Sequence, residues 1–149
     1  MEIERRFLVP NVPDIIAGYP SYEIEQVYLS MDPAIRVRRA RNRYFITVKS
    51  NTGLVREEHE MEISEEAFNR LYEKREGYVI RKRRYNVTYG KYLIEFDAFI
   101  SPFVIFMAEV EFDSVEEARR FECPGWFGEE VTDNPAFSNA AIAINGRIY

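Results

Sequence analysis

The sequence predicts an α+β fold of about eight antiparallel strands, closed into a barrel or a strongly curved sheet. Three observations carry that reading. Short segments alternate apolar and charged residues at the period of two that belongs to strands. The links between them are tight and polar, which suits antiparallel neighbours rather than helical crossovers. Two stretches with helical spacing interrupt the run.

The alternation opens at residues 2–9 and returns at 23–30, 34–40, 44–50 and 54–63. It resumes at 78–87, 91–99 and 104–112. Arg41-Asn42-Arg43, Asn51-Thr52-Gly53 and Tyr89-Gly90 are the turn signals between strands. Ser64 caps a first helix with Glu65 and Glu66 in its first turn and Phe68, Leu71 and Tyr72 on one side; Lys74, Arg75 and then Gly77 mark its end. Ser114 and Glu117 form a capping-box pair ahead of Val115, Ala118 and Phe121. A short third helix is expected near 135–144.

The chain of 149 residues reads as one domain, 1–149, without repeats or a Gly/Ser linker. At 46% hydrophobic it has the apolar surface for a core, which excludes disorder. Its apolar runs fall short of the ~20 residues a spanning helix requires, so no membrane association is expected. From the acidic start, Met1-Glu2-Ile3-Glu4, no secretory leader is expected. A single cysteine, Cys123, excludes a disulfide framework and a cysteine zinc cluster, and the expected compartment is the cytoplasm. The net charge of −5 argues against a nucleic-acid partner held by a broad basic face.

Charge distribution says more than the total. Alternate residues of a strand share a face. Glu2, Glu4 and Arg6 share one face; Arg36 and Arg38 stand opposite Ile35 and Val37; Thr47 and Lys49 stand opposite Ile46 and Val48. Glu58, Glu60 and Glu62 oppose His59, Met61 and Ile63. Lys82 and Arg84 form another pair, and Glu95 and Asp97, then Glu109 and Glu111, complete the set. A half-solvated sheet is the ordinary explanation for any one such strand. Here the signs are segregated by strand, and the opposite faces join the apolar helix stripes. A closed sheet with helices outside then puts both signs into one lumen. Buried ions are costly unless paired or metal-bound, so the lumen implies a highly charged ligand and cations. Clustered carboxylates with one histidine are hard oxygen ligands for Mg²⁺ or Mn²⁺. Arginine and lysine in the same space bind phosphate oxygens. Together they describe metal-assisted phosphoryl or nucleotidyl transfer without a P-loop. His59 lies on the apolar parity and reads as a packed or surface residue, Cys123 as a small apolar filler, and Arg81 to Arg84 as a stretch split between two faces. Tyr28 and Tyr85 are the aromatics placed nearest the lumen.

These residues resemble the CYTH or triphosphate tunnel metalloenzyme superfamily. The opening Glu2-Ile3-Glu4-Arg5-Arg6 is similar to its Glu-x-Glu-x-Lys signature. The likeness continues through Arg36-Val37-Arg38, Lys49, Arg56 to Glu62, Lys82-Arg83-Arg84, Glu95-Phe96-Asp97, Glu109-Val110-Glu111, residues 126–132 and Phe137-Ser138-Asn139. It implies an eight-stranded antiparallel tunnel with a charged lumen and helices packed outside. Within it, Glu2, Glu4, Glu109 and Glu111 would bind metal, and Arg36, Arg38, Lys49, Lys82 and Arg84 would hold phosphates. Glu60 and Glu62 would orient water or a second metal and Arg6 would take the signature lysine's place, with Glu58, Glu95 and Asp97 in support. Two departures stand out: Arg6 replaces that lysine, and Ala136 lies where relatives often carry a basic residue. The stretch Gln26-Val27-Tyr28-Leu29 looks more like the small bacterial tripolyphosphatases than the cyclases. The expected function is Mg²⁺- or Mn²⁺-dependent hydrolysis of inorganic triphosphate or a related compound. The alternatives are an adenylate cyclase or a non-catalytic polyphosphate or nucleotide binder. Oligomeric state stays open, a homodimer included.

Overall fold

A computed structural model describes residues 1–50 and 53–147; Asn51 and Thr52 of the expected turn lie outside the described residues. The chain forms β1 (Glu2–Leu8), β2 (Ser21–Met31), β3 (Ala34–Ala40), β4 (Arg43–Lys49), β5 (Val55–Arg56), β6 (Glu58–Ile63), α1 (Glu65–Tyr72), β7 (Glu76–Tyr89), β8 (Tyr92–Ser101), β9 (Ile105–Glu111), α2 (Val115–Arg120) and α3 (Asn139–Asn145). The strands make one antiparallel sheet in the order β5-β1-β9-β8-β7-β2-β3-β4-β6. Nine strands replace the eight expected because the segment at 54–63 is broken at Glu57. Its two halves sit at opposite ends of the sheet order. β5 pairs with β1 (Glu2↔Arg56) and β6 with β4 (Lys49↔Glu58), so this one bent segment nearly closes the barrel.

Tight links produce this order. Arg41 and Asn42 take positive φ (53° and 62°) as the two residues between β3 and β4, a primed turn whose twist matches a hairpin. Alternation then decides the two sides. Val27 and Val37 pack outward with Phe68 of α1. Ile94, Phe96, Ala108, Val110 and Phe112 pack outward with Ala118 and Phe121 around α2. Tyr85 belongs to this outer side, packed on Phe96 at 5.9 Å between ring centroids, so of the two expected lumen tyrosines only Tyr28 faces inward. Cross-strand pairing sets Tyr28 beside Arg36.

The Ser64 and Ser114 caps accept hydrogen bonds from the Ala67 and Glu117 amides. α1 ends at Tyr72, earlier than the Gly77 stop expected from sequence. Gly77 is instead the second residue of β7, at φ +73°, and a Cβ there would stand 2.3 Å from the Ala143 carbonyl oxygen. It is glycine because α3 lies directly upon it. α3 also corrects the expectation that every helix packs outside. Its Ala140, Ile142 and Ala143 are buried against Tyr28, Ile80, Phe99 and Met107. Those four residues share the inner face, paired across strands with Arg36, Gln26, Lys82 and Asp97. The inner face turns apolar at this end, and α3 covers it.

Candidate active site

Seven strands aim side chains into one cavity of ≈ 170 Å³, and every residue lining it is polar or charged. Of the expected site residues, Glu2, Glu4, Arg6, Arg36, Arg38, Lys49, Glu58, Glu60, Lys82, Arg84, Glu95, Glu109 and Glu111 meet there. Asp97 stands behind this wall and is 1% exposed, ion-paired to Lys82 (2.7 Å) and to Arg84 (2.7 Å). Glu62 does not join them. It lies at the exposed end of β6, where both its oxygens accept from Arg43. The alternation places it on the inner face, but the strand has by then run past the cavity. His59 is exposed, the second of the two places, packed or surface, expected for it.

Around the cavity the charges fall into two groups. On one side are carboxylates already neutralised: Glu4 accepts from Arg56, and Glu109 from Arg6 (Nε 3.0 Å). Arg6 also donates to the Phe137 carbonyl oxygen (2.9 Å), a span that the fork of a guanidinium makes easily. Despite burial, the charges of Arg6, Arg84 and Lys82 hold Glu109 well below the usual carboxylate range. Glu111 is different: burial and the charges of Glu4, Glu95 and Glu58 push its pKa up. Burial likewise raises Glu95, with Glu109 and Asp97 adding to it against Arg84. Glu2 and Glu58 are driven in opposite directions. Burial, the hydrogen bond with Glu58 and the charge of Glu4 push Glu2 up to about 8. Burial opposes the fall of Glu58 to about 2, but that hydrogen bond, Lys49 and Arg36 prevail.

On the other side are cations with too few counter-charges. Among the described residues no carboxylate stands within ion-pairing distance of Arg36 or Arg38, and Arg36 Nε is buried without a hydrogen-bond partner. Arg38 is pushed down to about 10 by burial and by the charges of Arg36 and Arg84. Lys82, 1% exposed, is pushed down to about 7 by burial and by Arg84 and Arg38, against the pull of Asp97. This wall has the electrostatics of a site waiting for an anion. A second chamber of ≈ 220 Å³ adjoins it towards α3, lined by Arg6, Arg36, Lys49, Arg56 and Tyr28 among others.

For a metal ion, the donors are of the right kind and not yet assembled. Among the described residues no three His, Cys, Asp or Glu side chains form a ready-made site. The fit rests on Glu111, crowded by like charges, and on the buried Glu2 Oε1, which makes no hydrogen bond and shares its nearest cation, Lys49 at 3.2 Å, with Glu58; a hard divalent cation suits both. Glu4 and Glu109 are held by arginines and must exchange them to take part.

Four residues here were not singled out for roles. Arg56 shares the alternation of Glu58 and Glu60, a signal in plain view. Thr47, whose hydroxyl donates to Glu60 (2.8 Å), lies between Phe45 and Lys49 on the inner parity. Gln26 is two positions from Tyr28. Asn139 falls in the Phe137-Ser138-Asn139 stretch of the resemblance, but no strand alternation places it in the lumen, since it reaches there from α3.

Fold and lining together define a β-tunnel protein with an ionic lumen. No family model matches the sequence. It is 38% identical over 154 aligned residues to an inorganic triphosphatase of Nitrosomonas europaea, covering 97% of each chain. An inorganic triphosphatase of Acetivibrio thermocellus is 31% identical, with 97% of this chain and 94% of the relative covered. The crystal structure of an inorganic triphosphatase superposes with a TM-score of 0.69 at 36% identity, over 97% of this chain and 95% of the other. A putative adenylate cyclase of Bacillus halodurans, at 16% identity and TM-score 0.58 over 80% of this chain and 84% of that one, shares the fold. The chain belongs to the inorganic triphosphatase family. No helix is long and apolar enough to cross a membrane among the described residues.

Proposed function

We propose that this chain hydrolyses inorganic triphosphate in the tunnel, with Mg²⁺ or Mn²⁺ as cofactor. The observation that carries the reading is the juxtaposition of Arg36 and Arg38, cations with no carboxylate within ion-pairing distance among the described residues, with the crowded carboxylates Glu111, Glu95 and Glu2 across one cavity. A multiply charged anion bound with a cation satisfies both walls at once. Tyr28 and Phe99, 3% and 2% exposed, belong to the apolar end of the inner face beneath α3.

In this reading Arg36, Arg38, Lys82 and Arg84 bind the phosphate oxygens and neutralise the charge that spreads over them in the transition state. Asp97, beneath Lys82 and Arg84, holds both cations in place. Lys49, between Glu2 (3.2 Å) and Glu58 (3.3 Å), supports the phosphates from the neighbouring wall. Arg6 keeps Glu109 ionised and ties β1 to the segment before α3. Glu60, steadied by Thr47, orients the attacking water and accepts its proton. The water oxygen bonds to the terminal phosphorus as the P–O–P bridge breaks, yielding phosphate and diphosphate. Glu2, Glu4, Glu109 and Glu111 would hold the metal, which supplies Lewis-acid neutralisation of the phosphate oxygens when bound. Residues 1–149 act as one domain, since one sheet carries nearly every side chain invoked. The single free cysteine suits the reducing cytoplasm.

The test is a panel of inorganic triphosphate, ATP, thiamine triphosphate and longer polyphosphate with Mg²⁺ and with Mn²⁺. Phosphate release from inorganic triphosphate, abolished by a chelator, is expected. Cyclic AMP formed from ATP, or triphosphate binding without turnover, would overturn the reading.

A further inference from the structure

Asn139 is the first residue of α3 and is 5% exposed, yet the chemistry above makes no use of it. Its Oδ1 accepts from Lys82 Nζ at 3.0 Å and from Gln26 Nε2 at 3.2 Å. Gln26 is fully buried, and its Oε1 accepts from Arg38 Nε at 2.8 Å. Lysine and arginine are donors only, so both amide orientations follow without ambiguity. Asn139 must turn its oxygen to Lys82; Gln26 must then offer nitrogen to Asn139 and oxygen to Arg38. One directed chain therefore joins a cation on β7 to a cation on β3 across β2, and its middle link comes from a helix. The ammonium of Lys82 has three N–H groups. Asp97 and Asn139 take two, which leaves the third for the cavity that Lys82 lines.

The geometry points to Asn139 as a positioning residue for phosphate binding: its carbonyl oxygen, delivered by α3, sets the placement of Lys82 directly and of Arg38 through Gln26. This rests on the phosphate-binding reading of the tunnel, not on turnover. α3 itself is located independently, by Ile142 and Ala143 on the apolar end of the inner face and by Gly77 beneath Ala143. The helix is thus a rigid mount, and the amide is what it presents.

The experiment measures triphosphate binding by calorimetry with a chelator present, and in parallel the steady-state hydrolysis with Mg²⁺ or Mn²⁺. Asn139→Ala is expected to weaken triphosphate binding about 10-fold or more and to raise KM more than it lowers kcat, the scale of a small misplacement of binding groups. Ile142→Ala trims the packing of the same helix without touching the amide. It is expected to lower Tm and to leave binding within about two-fold of wild type. In a Lys82→Met background the Asn139→Ala penalty is expected to shrink to less than about three-fold, because coupled residues are not additive. An equal penalty in both backgrounds, or equal loss of binding in Asn139→Ala and Ile142→Ala, would overturn the assignment. Where Asn139→Ala does not fold, Gln26→Leu cuts the Arg38 arm from the strand side, and unchanged binding there overturns it equally. A wild-type chain that binds triphosphate without hydrolysing it defeats the hydrolase reading alone, since the binding measurements still decide the role of Asn139.

Discussion

Asp97→Asn tests the arrangement most directly. The side chain is buried, and its two oxygens accept Arg84 at 2.7 and 2.9 Å while it ion-pairs with Lys82 at 2.7 Å. Asparagine keeps the shape but removes the charge and turns an NH₂ group towards a cation. Glu95 remains on Arg84 at 3.0 Å, so that cation keeps one partner, whereas Lys82 keeps only the neutral Asn139 oxygen. Removing one member of a buried pair costs about 3–5 kcal/mol. For a chain of this size each kcal/mol moves Tm by about 2–4 °C, so a fall of about 6–20 °C is expected. Triphosphate should return part of it. A ligand at 100 times its Kd adds about 2.7 kcal/mol, and the anion binds a cavity made more positive by the substitution. The ligand-induced rise in Tm should therefore be larger in the variant than in wild type. Thermal unfolding followed by circular dichroism, with and without triphosphate, reads both effects. A variant that melts within about 2 °C of wild type would refute the claim that this carboxylate holds the two cations in place.

Three further outcomes follow from the same geometry. Because Glu2 keeps its proton up to about pH 8 and must lose it to coordinate a cation, the apparent Mn²⁺ affinity should rise with pH below 8 and level off above it; a pH-independent affinity in calorimetry refutes this. The slope there should be at most about ten-fold per pH unit for one proton released, and Glu2→Gln should flatten it. Gly77→Ala forces a Cβ to within 2.3 Å of the Ala143 oxygen at φ +73°, so α3 should lose amide-exchange protection and stability should fall by roughly 2 kcal/mol or more. Glu111→Ala should reduce kcat/KM at least about 100-fold, as loss of a group that acts in the cavity does. Glu62→Ala, which breaks only the exposed pair with Arg43, should cost a few-fold at most, and equal losses would place Glu62 in the reaction after all.

The likeness between expectation and fold is closest where information is local. Alternation along β1, β3, β7 and β9 named Glu4, Arg36, Lys82 and Glu109 as one inward-facing set, because side chains on a strand have only two directions to choose from. The serine caps of α1 and α2 were equally readable, since a cap is satisfied within three residues. Where the sequence misled, the deciding contact was distant. Gly77 looks like a helix stop until α3 is seen lying on it. Tyr85 shares a strand with Arg84 and was ambiguous until Phe96 claimed it for the outer side.

The residues by themselves determined that both signs of charge line one side of an antiparallel sheet, since alternation is a property of each strand alone. Only the tertiary structure decided which of those charges stand paired. That depends on cross-strand register, on the break at Glu57 that nearly closes the barrel, and on a helix more than fifty residues from Lys82 in sequence that brings Asn139 to its ammonium. Pairing turns on distances of an ångström or two, and such distances are set by packing between elements that no local pattern encodes.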